Sequence, residues 1–219
     1  MLRHVRRPLA LVIFASLVVT GAALAARGDP QRQIRPADEA RAKAMLVRQS
    51  DLPGSQAGAP TPDVDFYCAA LDASDLTLTG DAVGRRFAVG LMIAASASEV
   101  YESRADASAA WRRATGRVGL ECARSLLRRQ LAQQGARLIS LRTIPFPRLS
   151  DRTVAYRATI TGLTPQGEVT AYVDVIALMR SRAHTTITVG SALTTPPRSE
   201  ELHLARTVAK RMASAMRGA

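Results

Sequence analysis

The clearest alternation of apolar and polar positions lies in Thr153–Thr161. Val154, Tyr156, Ala158 and Ile160 point one way, and Thr153, Arg157, Thr159 and Thr161 the other. This is the period of a half-buried strand. Thr164-Pro165-Gln166-Gly167 reads as a turn, and Glu168–Arg180 resumes with β-branched and apolar residues. A two- or four-residue loop sets Val154 opposite Ala177, Tyr156 opposite Val175, Ala158 opposite Val173 and Ile160 opposite Ala171. A three-residue loop with Gly167 left-handed would instead set Ala158 opposite Asp174, on the buried face. Burying an unpaired carboxylate is costly, so the first register is favoured. It places Arg157 directly across from Asp174, as a surface pair contributing about 0–1 kcal/mol. A third strand follows at Thr185–Val189, with its register open.

The rest of the chain reads from the N-terminus as follows. Met1–Arg7 carries Arg3, Arg6 and Arg7, Pro8–Ala25 is apolar, and Ala23-Leu24-Ala25 is a small-x-small site. Together these predict a secretory signal over 1–25. Its long apolar stretch leaves an uncleaved membrane anchor as the alternative. Ala26–Arg35 reads as a flexible linker, and Ala37–Arg48 has helical spacing that ends at Asp51-Leu52-Pro53-Gly54. Strands are expected at Leu76–Thr79 and Arg86–Ala94, with extended chain to Tyr101. Ser103-Arg104-Ala105-Asp106 is a capping pattern that opens a helix containing Trp111. A second helix is expected over Val118–Gln134, with Val118, Cys122, Leu126, Leu127 and Leu131 as its stripe and Gly135 as its stop. A strand is expected at Arg137–Thr143. A last helix from Ser199 carries Leu202, Ala205, Val208, Ala209, Met212 and Met216.

The two cysteines are Cys68 and Cys122. In an exported chain the simplest reading is one disulfide. A free nucleophile or half of a metal site is the alternative, and no spacing of other Cys or His residues supports it. The formal charge is +12, three units of it in the leader arginines, and the only lysines are Lys43 and Lys210. A solvated Arg-rich surface is one reading; attraction to anionic envelope polymers or lipid headgroups is the sharper one. Nucleic acid is disfavoured, because aromatics are few and do not alternate with the basic residues.

Several features recur together. They are an export signal, a linker, a short helix ending in Ser50-Asp51-Leu52-Pro53-Gly54, and a Cys after the next loop. Next come the Ser103–Ala107 helix start, a second helix with a Cys, the strands Thr153–Ile160 and Val169–Met179, and a C-terminal helix. This order resembles the PknH-like extracellular sensor domain of actinobacterial transmembrane serine/threonine kinases, over roughly Ala37–Met216. The resemblance implies an α+β fold: one domain over 36–219, an antiparallel β-sheet packed by two to three α-helices. It also implies a cleft for an unidentified ligand and no catalytic residues. The kinase-type members carry two disulfides, and this chain has cysteines for one only.

Candidate chemistry is thin. His184 follows the basic Arg180–Arg182 turn, and His203 lies at a helix start; neither is in a nucleophile context. Asp63-Val64-Asp65 is an isolated acidic pair beside a Pro-containing loop, and no metal is expected there. Arg112-Arg113 and Arg128-Arg129 read as solvated helix surface. The outer sheet face is unusual, because Arg157, Tyr172, Asp174, Ile176 and Leu178 mix apolar and charged residues. Apolar walls with a few placed polar groups characterise small-molecule sites, so this face is the candidate ligand or partner surface. The alternative is that Ala37–Val47 packs over Ile176 and Leu178. The functional expectation is a non-enzymatic, secreted or envelope-anchored binding module without cofactor. Its partner would be a small molecule, a lipid or an anionic envelope polymer. An envelope hydrolase and a dimerising interaction protein are the alternatives.

Overall fold

In the computed structural model, β7 (Arg152–Thr164) and β8 (Gly167–Arg180) pair in the favoured register, with Val154 opposite Ala177 and Arg157 opposite Asp174. The structure describes residues 29–60, 68–165 and 167–218. The expected signal segment and Asp63-Val64-Asp65 lie outside them. β9 (Ala183–Ala192) returns through Ser181 and Arg182, setting Arg180 opposite Ala183 and so fixing the register that the sequence left open. Ser181 has φ 54° there, within the left-handed region that a two-residue hairpin turn uses.

Among the described residues, nine strands form one sheet. Along its main path run β1 (Gln31–Arg32), β3 (Thr77–Val83), β5 (Met92–Tyr101), β9, β8, β7 and β6 (Ala136–Ile144). β2 (Gln56–Pro60) and β4 (Arg85–Val89) branch from β5. All pairings are antiparallel except β1 with β3. The expected strand Arg86–Ala94 is broken at Gly90, where φ of 58° turns β4 back onto β5. The expected linker is bound chain from Asp29 on. The backbone of Gln31, Gln33 and Arg35 bonds to Leu76, Leu78 and Thr79.

Among the described residues, four α-helices cover both sides of the sheet. α1 (Pro36–Ala44) and α4 (Arg198–Ala215) lie on one face. Gly80 admits α1, since a Cβ there would sit 2.3 Å from the Asp38 backbone. The helix stops short of the expected Arg48, and Met45 and Val47 enter the core instead. α2 (Arg104–Thr115) and α3 (Arg117–Gln133) cover the other face. The Ser103 hydroxyl accepts from the Asp106 amide at 3.0 Å, as the capping pattern requires. Val118 is an exception to the expected α3 stripe, being 61% exposed, while Leu126 and Leu131 are buried. On α4 the stripe is led by Glu201 and Leu204, both without exposed surface; Leu202 is only half-buried. Cys68 and Cys122 form a disulfide across a sequence separation of 54. The fold is therefore α+β with a single core domain and one disulfide. No helix among the described residues is long and apolar enough to cross a membrane.

Candidate functional site

The expected outer face is not open. Asp174, Ile176 and Leu178 have no exposed surface. α4 lays Leu204, Ala205, Val208 and Met212 over this face, joined by Ala42, Met45 and Val47 from the N-terminal segment. The alternative reading, coverage by the N-terminal segment, thus accounts for part of the packing; the C-terminal helix supplies most of the rest. The Arg157–Asp174 pair is consequently not a surface pair. Nε and Nη2 of Arg157 donate to the two Asp174 oxygens at 2.7 and 2.5 Å, with the Arg157 side chain 16% exposed. Glu201 comes down from α4 beside them, 4.0 Å from Arg157 and 3.2 Å from Arg198. Burial, with the Asp174 carboxyl next to it, pushes the Glu201 carboxyl well above its usual range. Arg198 in turn lies 4.2 Å over the Phe146 ring and donates to the Pro145 carbonyl at 2.6 Å. Of the five residues expected to form a ligand face, only Tyr172 and Arg157 keep partial exposure.

Two further Arg–carboxylate clamps hold the same side closed. Arg182 donates to both Asp38 oxygens at 2.8 and 2.9 Å and to the Tyr101 carbonyl at 2.7 Å. Burial works to raise Asp38, but Arg182, Thr79 and Arg41 outweigh it and hold the carboxyl well below the usual range. Arg211 on α4 grips both Asp51 oxygens at 2.6 Å and the Leu46 carbonyl at 2.9 Å.

The opposite face has an opening. The side chains of Ala97, Glu99 and Tyr101 alternate along β5 toward α2, and cross-strand pairing sets Ala97 against Thr186 and Glu99 against His184. Ala177 of β8 stands opposite Thr186. Three small side chains in neighbouring strands leave a floor that α2 does not fill, and a pocket of about 110 Å³ results. That is on the scale of cavities of roughly 150 Å³ that accept a benzene ring. Trp111, Ala110, Arg113 and Ala114 of α2 form one wall, and Leu71 and Ala73 form the rim. The disulfide holds that rim: Cys68 immediately precedes the turn Ala69–Leu71 and is tied to α3. Gly119 of α3 makes room, since a Cβ there would lie 3.1 Å from the Leu71 side chain and 2.0 Å from the Arg113 carbonyl.

The pocket is lined by three rings and by both apolar and polar side chains. His184 lies 5.1 Å from the Tyr101 ring, tilted by 58°, and 5.7 Å from Trp111 at 72°. The Tyr101 hydroxyl donates to Glu99 at 2.8 Å, and Nδ1 of His184 lies 4.0 Å from the same oxygen. Burial pushes the Glu99 carboxyl up to about 7, against the Tyr101 hydrogen bond. A quarter of its side chain, 26%, stays exposed, so water entering the pocket moderates that rise. Burial lowers His184 to about 4, with the Ala107 backbone pulling the other way. At neutral pH the imidazole is therefore uncharged, and its buried Nε2 has no hydrogen-bond partner among the described residues. Arg113 is engaged already, with both terminal nitrogens on Asp75 at 2.6 and 2.7 Å.

No serine lines this pocket, and among the described residues none of its threonine hydroxyls hydrogen-bonds His184. No group of three or more metal-binding side chains occurs among the described residues. Sequence reasoning considered His184 only as a hydrolase histidine and missed Glu99, Tyr101 and Trp111 as a set. A signal was present: Ile93, Ala95, Ala97, Glu99 and Tyr101 share one strand face, and a lone acid there is out of place. His203 is exposed, as its position at a helix start implied.

No known protein family matches the chain by sequence, and no curated protein matches it. Its structure is similar to the extracellular domain of PknH from Mycobacterium tuberculosis, at 11% identity and a TM-score of 0.51, covering 82% of this chain and 98% of that one. Weaker likenesses are to an uncharacterised protein of Mycobacterium smegmatis (16% identity, TM-score 0.40, covering 83% of this chain and 98% of that one). A third is to LpqN of M. tuberculosis, involved in cell envelope biogenesis (9%, TM-score 0.32, covering 77% of this chain and 86% of that one). At these identities the likeness is one of fold, and the fold that this chain resembles is that of the PknH extracellular domain.

Proposed function

We propose that this protein is a non-enzymatic binding module of the cell envelope or extracellular space, and that its ligand enters the pocket between α2 and the sheet. The observation that carries the reading is the pocket itself: an aromatic-walled hollow with a small-residue floor and polar side chains that include Glu99 and His184. The disulfide suits an oxidising compartment, and the shared fold belongs to an extracellular domain, which supports the location. On the α4 face Arg157 and Asp174 are instead paired with each other beneath the helix, and Ile176 and Leu178 are covered.

The test uses protein purified from its own host. Native mass spectrometry is expected to find a retained small molecule that is lost from Ala97→Leu, whose longer side chain fills the pocket floor. Trp111 is the only tryptophan, so its emission reports on the same wall. A ligand retained by Ala97→Leu with unchanged Trp111 emission places binding elsewhere and sinks the reading.

A further inference from the structure

The class of ligand follows from the charge left in the pocket once its internal pairs are counted. Arg113 is the cation on the wall, and its guanidinium is committed to Asp75 and to the Asp72 carbonyl. Among the described residues Glu99 has no cationic partner of that kind; it accepts a hydrogen bond from the Tyr101 hydroxyl, and neutral His184 stands 4.0 Å away. Around it Tyr101, Trp111 and His184 stand at mutual tilts of 58° and 72°, so their planes bound the hollow on different sides. Aromatic faces beside one carboxyl attract cations through the ring quadrupole and the charge together. An anion would meet Glu99 with no free guanidinium to offset it, and a neutral ring would leave the carboxyl without a counter-charge.

We propose that the pocket selects a compact organic ammonium group, seated against the Tyr101, Trp111 and His184 rings and paired with Glu99. This rests on the pocket being the ligand site. The groups that face Glu99 are Tyr101 on its own strand, His184 on β9, Asp81 on β3, and Asp29 and Arg32 in the N-terminal segment. Arg113 on α2 completes the set. Asp81 and Asp29 add negative potential, which Arg32 partly offsets from its own pair with Asp81. Because burial holds Glu99 up to about 7, a bound ammonium draws it into its ionised form, and affinity rises as pH rises through that value.

The experiment titrates the purified protein with cyclohexylamine and with cyclohexanol, rings of equal size that differ in charge, and reads Trp111 emission. At about pH 8 the amine is protonated. It is expected to bind at least about tenfold tighter than the alcohol, the scale of one charge-assisted hydrogen bond. That advantage shrinks between about pH 8 and pH 6 as Glu99 takes up its proton. Glu99→Gln, which keeps the shape and removes the charge, brings the ratio to about one while cyclohexanol binding persists. The wild-type comparison decides the matter even if that variant fails to fold. Equal or tighter binding of cyclohexanol by the wild type overturns the ammonium assignment and leaves the pocket as the ligand site. If neither compound changes Trp111 emission or displaces the copurified molecule, both readings fall.

Discussion

The two faces of the sheet solve the same packing problem in opposite ways. On the α4 side one continuous cluster runs from Ala42 and Met45 through Ile176, Leu178 and Ile187 to Val208 and Met212. Three Arg–carboxylate pairs are closed there, Arg157 with Asp174, Arg182 with Asp38, and Arg211 with Asp51, and Glu201 stands beside the first. On the α2/α3 side the apolar residues fall into two clusters, one around Leu131, Ile160 and Val173, the other around Trp111, Tyr101 and Leu78. The pocket lies against the second, where Ala97, Ala177 and Thr186 are too small to fill the space under α2. A charged strand residue thus occurs on both faces, paired with an arginine at Asp174 and without one at Glu99 among the described residues, and short residues on neighbouring strands marked the open face. Burial of a charge depends on whether it finds a partner, whereas a hollow depends on volume that no single strand reveals.

The largest effect should come from breaking a sealed pair. Arg157→Met strands Asp174 and Glu201 under α4, and we expect a loss of about 3–5 kcal/mol in urea unfolding with pocket binding intact. A loss below about 1 kcal/mol would mean that the pair behaves as a surface pair after all. Replacing both cysteines with serine removes a crosslink with a sequence separation of 54. In the chain-entropy model that costs about 4 kcal/mol. Because the disulfide holds the Leu71 rim, Trp111 emission should also shift to the red; an unshifted spectrum would show that the rim stands without it.

Titration separates the faces further. The folded-state pKa of Glu201 is raised to about 8, so its contribution to stability is complete below the ordinary 4.5 and is lost as pH rises through about 8. Glu201→Gln should flatten that alkaline limb by a few kcal/mol, roughly. His184 on the pocket face runs the other way. Its folded pKa is lowered to about 4, so its contribution is present above 6.5 and is lost as pH falls toward 4. Thermal melts of the wild type, Glu201→Gln and His184→Phe across pH check both signs. The smallest stability effect belongs to Ala97→Leu. It fills existing space and should alter stability by about 1 kcal/mol or less while abolishing binding. Leu178→Ala, on the sealed face, should do the reverse, costing about 2–5 kcal/mol with binding unchanged.

Much of the fold was legible in the chain. The β7–β8 register followed from keeping Asp174 off the face of Val154 and Ile160, and that register is formed. Ser103 capped its helix, Gly135 with φ 70° ended α3, and Cys68 met Cys122. Local chemistry governs each of these: side-chain alternation, a hydroxyl at an N-cap, backbone freedom at a C-terminus. The site was not legible in the same way. Tyr172, Asp174, Ile176 and Leu178 looked like a binding face because a mixed face has two explanations, a ligand or another part of the chain.

The sequence by itself determined the central hairpin and its register, the order of the later helices and strands, the disulfide partners and a resemblance whose fold the structure bears out. Tertiary structure decided which face α4 would seal, because Glu201 and Leu204 reach Asp174 and Ile176 only once the last helix folds back on the sheet. It also decided where a hollow would remain. Ala97, Ala177 and Thr186 come from three separate strands, and the space above them exists only when pairing sets them side by side beneath a helix that cannot reach the floor.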